Sequence, residues 1–285
     1  MDIEDLKTFL VLSNTRNFTR TAQQMFIAQS TVTNRINELE KQVGRNLLFR
    51  TNRSVELTAE GERFREYAEK VVELTESSLT EIASYQKFDN ILRIGSADSI
   101  YEAHLANIIL KHKKAHPRDA LKISIGMSRH LIEQLQNDYY DVIFSYLPLN
   151  KLNYQCEIFK QDQIVLVTDY CNVKYEEGIT REELNSHNYL MCNYALGDVG
   201  QFVRDLFPGY HQFSLEIDEC AKIIPFLFEQ NNYTFLPSEV AEPYVKDRML
   251  RIIPFNDVTT PVINSYIIGK KEKVSLAKKM LFENE

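Results

Sequence analysis

Over the first 57 residues, apolar positions recur at steps of three and four, the spacing that gathers them on one face of an α-helix. Ile3, Leu6, Phe9, Leu10 and Leu12 make one stripe, Ala22 and Met25 a second, and Val32, Ile36, Leu39 and Val43 a third. A break at Phe26, Ile27 and Ala28 sits between the second stripe and the third. The pattern predicts a helix over 3–13 packed beneath two short helices joined by a tight turn. Thr19 is the expected N-cap of the first of these two. Residues 47–58 then read as a short strand, a turn at Thr51 and Asn52, and a return strand: a wing carrying Arg50 and Arg53.

Residues 58–87 contain no proline and one glycine near their start. Phe64, Ala68, Val71, Thr75, Ser78, Ile82 and Tyr85 step alternately by four and three, an a/d seam with charged residues on the outer faces. A helix of about thirty residues is about 45 Å long. It cannot bury such a seam alone, so pairing with a second copy is expected ahead of packing on its own domain. From residue 91 the period changes. Short apolar strands over 91–95, 121–125 and 142–144 alternate with helices over 104–116 and 131–137. That order implies a parallel sheet covered by helices. Strands over 155–159 and 164–168 lead into a second α/β lobe. This lobe has a capping box at Thr180 and Glu183, strands over 189–191, 213–217 and 233–236, and helices over 201–207 and 221–228. A strand over 262–268 returns to the first lobe, and a helix over 274–282 closes the chain.

On the third stripe's helix, Gln29, Ser30, Thr33, Asn34 and Arg35 form the expected outer face. Their short or forked side chains carry donors and acceptors that suit base edges in a major groove. Charge agrees. Arg16, Arg20, Arg35, Lys41, Arg45, Arg50 and Arg53 face only Glu38 and Glu40, on a chain whose net charge is −7. A basic island on an acidic protein is the footprint of phosphate binding.

The order FTRTAQQM followed by AQSTVTNRINELEKQVGRNLLFRTNRSVELTAEG resembles the start of a LysR-type transcriptional regulator. The chain departs from that family at Ala28, Ser30 and Asn34, where Ser, Pro and Arg are usual, and Ala28 removes a capping hydroxyl. The resemblance extends more weakly over the rest of the chain. It implies a multidomain protein: a winged helix-turn-helix over 1–57, a linker and dimerisation helix over 58–87, and a C-terminal two-lobed α/β effector domain similar to periplasmic binding proteins. The first lobe is expected over 91–162 and 266–285, the second over 163–265. The implied function is sequence-specific DNA-binding transcriptional regulation by a homodimer or homotetramer on an interrupted inverted repeat. A small-molecule effector, and RNA polymerase as a further partner, are implied with it, and no cofactor.

Ligands of open parallel sheets bind beyond the carboxyl ends of the strands. Those ends fall at Ala97, Asp98 and Ser99, at Gly126, Met127 and Ser128, and at Ser145 and Tyr146. In the second lobe, Asn193 and Gly197 follow a strand, and Asp218, Glu219 and Cys220 end another. Hydroxyls and helix N-termini suit an anion, whereas Asp98 and Glu219 suit an amine, so the ligand's charge stays open. For any single serine, a helix cap is the simpler role. By resemblance, Ser99, Ser128 and Tyr146 fall where family members hold effectors.

At 285 residues the chain has room for two or three domains. No apolar run approaches the ~20 residues of a membrane span, and the acidic start is unlike a signal peptide, so no membrane partner and a cytoplasmic location are expected. Cys156, Cys171, Cys192 and Cys220 form no CxxC pair and no cluster with histidines. Buried reduced thiols are the simplest reading, and no metal site is expected. A thiol-redox sensor would need paired cysteines, and Cys192 with Cys220 is the nominated pair. Without a GxSxG, Walker loop, GxGxxG or HExxH, nothing favours an enzyme.

Overall fold

The structure, a computed structural model, describes residues 1–50, 55–84, 87–192, 198–228 and 230–283. The chain divides into two units, Met1–Lys87 and Phe88–Glu285.

In the first unit, α1 (Ile3–Thr15), α2 (Phe18–Met25) and α3 (Gln29–Val43) enclose a core of Leu6, Phe9, Leu12, Ala22, Val32, Ile36 and Leu39. The expected N-cap is corrected. Asn17 caps α2, its side chain accepting the Arg20 N–H at 3.0 Å, and Thr19 is the second residue of the helix. β1 (Leu48–Arg50) pairs antiparallel with β2 (Val55–Leu57). The expected turn at Thr51 and Asn52, and Arg53 with it, lie outside the described residues. Glu40 fixes the start of the wing, its Oε1 accepting the N–H groups of Leu47 and Leu48 at 2.8 and 3.1 Å.

Thr58 caps the next helix, α4 (Ala59–Ser84), by accepting the Gly61 N–H at 2.9 Å. Gly61 passes so close to the wing that a Cβ there would lie 2.0 Å from the Leu47 carbonyl oxygen. The apolar seam of α4 divides in two. Ala68 is buried in the unit's own core with Phe64 and Val72 packed beside it, and the rings of Phe64 and Phe9 meet edge to face at 5.5 Å. Of the remaining apolar seam positions Val71 and Ile82 are exposed, as are Leu74 and Leu79 beside the seam. The seam expected to serve a partner therefore begins later than its sequence pattern suggests; Tyr85 lies outside the described residues.

In the second unit, β3 (Asn90–Ser96) lies between β4 (Asp119–Ile125) and β5 (Val142–Ser145), parallel to both. The helix after β3 begins as α5 (Asp98–Ile100), widens into a π turn at Tyr101–Leu105, and continues as α6 (Ala106–Ala115). α7 (Ser128–Gln136) follows β4. β6 (Gln155–Asp169) is one unbroken strand where two were expected. Its first part pairs with β12 (Val262–Gly269), and its later part with β10 (Asn232–Pro237) and β11 (Leu250–Ile253), all antiparallel. β12 also runs antiparallel to β5, so the sheet is mixed rather than wholly parallel.

The second lobe adds α8 (Arg181–Asn185), with the expected Thr180–Glu183 capping box. It continues with β7 (Asn188–Tyr189), β8 (Met191–Cys192), α9 (Asp198–Asp205), β9 (Glu216–Ile217), α10 (Cys220–Ile223) and α11 (Ser238–Lys246). α12 (Lys271–Leu281) closes the chain. The strand expected over 213–217 is reduced to β9, and α11 and β11 occupy a stretch for which the sequence suggested nothing.

Polar contacts between elements brace this unit. His104 of the π turn meets Asp162 of β6 at 2.8 Å. Asp141 accepts from the Arg93 backbone at 2.8 Å and from its guanidinium at 3.1 Å, and pairs with Lys273 at 3.0 Å. Burial pushes the Asp141 carboxyl up, but these bonds outweigh burial and hold it below the ordinary carboxylate range.

Candidate nucleic-acid interface and ligand cleft

The N-terminus of α3 carries no side-chain cap, because Ala28 stands at the N-cap. Gln29, Ser30 and Asn34 are exposed, and Thr33 is half-buried. Thr33 Oγ1 donates to the Gln29 carbonyl at 3.1 Å, which leaves its methyl and its lone pairs facing outward chemistry. Arg35 departs from the expected outer face. Its Nη1 donates to Thr8 Oγ1 at 3.1 Å and lies 3.4 Å from Glu4, so it ties α3 to α1. Arg50 is also engaged. It donates to Asn37 at 2.8 Å and to Glu40 at 2.5 Å, with its guanidinium over the Phe18 ring. Arg16, Arg20 and Arg45 are exposed and make no ion pair among the described residues. They are the free cations beside α3.

In the second unit the carboxyl ends of β3, β4 and β5 meet at Tyr146. Ser99 Oγ lies 2.8 Å from Tyr146 Oη, and Ser128 Oγ accepts the Tyr146 N–H at 3.1 Å. Neither serine is a cap: Ala97 and Met127 occupy the N-cap positions. Burial, with Cys220 alongside, pushes the Tyr146 hydroxyl well above its ordinary value, so it stays a neutral hydrogen-bonding group. Ala97, Asp98, Ser99, Gly126, Met127, Ser128 and Tyr146 from one lobe line a recess with Asp218, Glu219 and Cys220 from the other. The space open to a water-sized sphere is about 20 Å³, close to a single water.

Ser145 does not reach this recess. It is fully buried, and its hydroxyl closes a turn on Leu147, donating to the carbonyl and accepting the N–H, both at 3.0 Å. Asn193 and Gly197 lie outside the described residues. Cys192 and Cys220, whose proximity the strand order left open, have their sulfurs 3.7 Å apart.

Comparison with known proteins follows the same division. Residues 3–62 match the family model of bacterial regulatory helix-turn-helix proteins of the LysR family, and residues 86–280 match the LysR substrate binding domain. Over 282 residues, 96% of each chain, the sequence is 25% identical to the HTH-type transcriptional regulator CitR of Bacillus subtilis. It is 30% identical to an HTH-type transcriptional regulator of Methanocaldococcus jannaschii over 75% of this chain and 73% of that one. Full-length CbnR complexed with its target DNA superposes over the whole of both chains with a TM-score of 0.78 at 16% identity, a likeness of fold. With both parts of the chain matched, the protein belongs to the LysR family and is a DNA-binding transcriptional regulator.

Proposed function

We propose that this regulator binds an interrupted inverted repeat as a homodimer or homotetramer, and that a small polar molecule held between the lobes sets its affinity for that site. Each α3 reads one half-site through Gln29, Ser30, Thr33 and Asn34. Arg16, Arg20 and Arg45 hold phosphates, with Arg53 of the wing. Arg50 joins them when it leaves Glu40. The exposed apolar positions of α4, Val71, Leu74, Leu79 and Ile82, favour pairing of two linker helices. We read the chain as a regulator and no enzyme, as its relatives are.

The observation that carries the effector reading is the convergence of Ser99, Ser128 and Tyr146 on a recess completed by the other lobe. This smaller recess has room for about one water, so a metabolite fills it only when the lobes part. A ligand that prefers one spacing of the lobes then shifts the balance between spacings. Among the described residues of the recess, Asp98, Asp218 and Glu219 are acidic and none is Lys or Arg. That favours a neutral or amine-bearing ligand over a dicarboxylate. A coupling of about 1–3 kcal/mol changes DNA affinity roughly 5- to 150-fold.

The test is a thermal-shift screen of the full-length chain against amines, amino acids and neutral polar metabolites, followed by operator titrations. Ser99→Ala is expected to keep basal DNA binding and lose the response to the selected ligand. A Ser99→Ala protein that binds and responds as the wild type does would place the effector elsewhere.

A further inference from the structure

β5 presents different chemistry at its two ends. Tyr146 and the recess between the lobes lie beyond Ser145, at its carboxyl end. At its amino end Asp141 precedes Val142, and β12 runs out beside it with Gly269 opposite Val142. The two segments approach so closely that a Cβ on Gly269 would lie 2.6 Å from the Asp141 carbonyl oxygen. This packing sets the start of α12, with Lys270 at its N-cap, against the turn that leads from α7 into β5.

A cavity of about 240 Å³ opens at this corner. Arg93, Lys270 and Lys273 line it with Asp138 and Asp141, three cations against two carboxylates. Tyr140 and Tyr154 complete its polar wall. The carboxylates are already engaged. Asp141 accepts from the Arg93 backbone, the Arg93 guanidinium and Lys273, and Asp138 accepts from Lys270 at 2.6 Å. The donors are not used up. An ammonium carries three N–H groups, and each of the two lysines spends one on a carboxylate. The hydroxyls of Tyr140 and Tyr154 make no hydrogen bond among the described residues. Two ammonium groups and two phenols therefore share one space in which the acidic groups are already bound. The N-terminus of α12, which has no side-chain cap, adds the positive end of its dipole.

We propose that this cavity binds a small oxyanion, a phosphate or a short carboxylate, at the opposite end of β5 from the recess between the lobes. An oxyanion supplies what the wall lacks: several lone pairs and the charge that strengthens bonds from ammonium donors. The volume lies below the roughly 300–1,000 Å³ of pockets for larger ligands, which selects a small one. Lys270 and Lys273 hold the anion from α12, and Tyr140 and Tyr154 donate from the facing segments. Asp138 and Asp141 keep the lysines in place and exclude neutral acceptors less well than they exclude a second carboxylate at their own oxygens, so the anion seats on the lysine side. The site uses no residue of the interlobe recess, and the two can be filled together.

The test is lysine footprinting of the full-length chain. It is acetylated with an activated acetate ester in sodium phosphate, in sodium succinate or in sodium chloride, all at equal ionic strength, and mapped by peptide mass. Phosphate and succinate distinguish a phosphoryl from a carboxylate ligand. Exposed Lys246, on α11 in the other lobe, is the internal reference. The expected result is saturable protection of Lys270 and Lys273, relative to Lys246, by at least one of the two anions, with a dissociation constant on the order of 1 mM. Lys270→Gln, read at Lys273, is expected to weaken that anion about tenfold, and Tyr154→Phe about threefold. Tyr154→Phe removes an oxygen that makes no bond to a described residue, so its fold is not at stake. The proposal is overturned if neither anion protects Lys270 and Lys273 beyond chloride. It is equally overturned if protection is seen but is the same in wild type, Lys270→Gln and Tyr154→Phe.

Discussion

Tyr146→Phe deletes one oxygen and nothing else, which makes it a sharp probe of how the strand ends are held together. The ring stays buried, and the backbone N–H still reaches Ser128 at 3.1 Å. The 2.8 Å bond to Ser99, a residue 5% exposed, is lost. A buried neutral hydrogen bond contributes about 1 kcal/mol net, and a hydroxyl left without its partner costs about 1–3 kcal/mol. Taken together these give a loss of about 1–2 kcal/mol. For a unit of this size each kcal/mol moves the melting temperature by about 2–4 °C. Scanning calorimetry of the full-length chain should therefore show the effector-domain transition fall by about 2–8 °C. Ser99→Ala should cost a similar amount, and the double variant hardly more than either, because the second change removes a partner already lost. The coupling from this cycle should be about 1 kcal/mol. Single-variant costs that add to within about 0.3 kcal/mol would refute the claim that this bond joins the two strand ends.

Val71→Asp places a carboxylate on the exposed part of α4, so the 1–87 fragment, which has its own core, should become monomeric in sedimentation while keeping its helicity. An unchanged mass distribution would separate dimerisation from α4. Gly61→Ala should destabilise the first unit by more than about 1 kcal/mol, read as a lower urea midpoint, because a Cβ would collide with the Leu47 carbonyl. Asp141 has a depressed pKa in the folded chain, so its contribution is present above the unfolded value near pH 4 and fades as pH falls through the lower folded value. Asp141→Asn should lower effector-domain stability by about 2 kcal/mol at pH 7 and by progressively less below pH 4 in urea titrations; an equal loss at every pH would exclude an ionic origin.

The helix-turn-helix and the alternation of strands and helices were legible because burial imposes a period on the sequence. The directions of polar side chains were not. Arg35 lies three residues after Val32 and four before Leu39, flanking the buried stripe, a spacing that suits the contact it makes with Thr8 better than an outward one. Asn17 rather than Thr19 caps α2 because local backbone geometry settles a cap to within a residue or two, which residue type alone does not. The middle of β6, residues 160–163, is polar and hides the continuity of the strand from its sequence pattern. There the strand passes between the lobes, with Lys160, Gln161 and Gln163 exposed, and its ladder to β12 rather than apolar burial holds it. α11 carries Pro243 inside it, which masks a helix from any reading that treats proline as a stop. Ser99, Ser128 and Tyr146 are legible as strand ends, whereas Ser145 shares only adjacency with Tyr146: successive residues of a strand point to opposite faces.

The central claim, that two copies of α3 read a two-fold site, is tested most directly by selection of binding sites from random duplexes by the full-length protein at fixed salt. The account predicts an enriched inverted repeat with an unread spacer. Thr33→Ala should relax one base pair in each half by about 1–3 kcal/mol and leave the spacing unchanged. Enrichment of a lone half-site, or a repeat whose every position survives Thr33→Ala and Gln29→Ala unaltered, would contradict it.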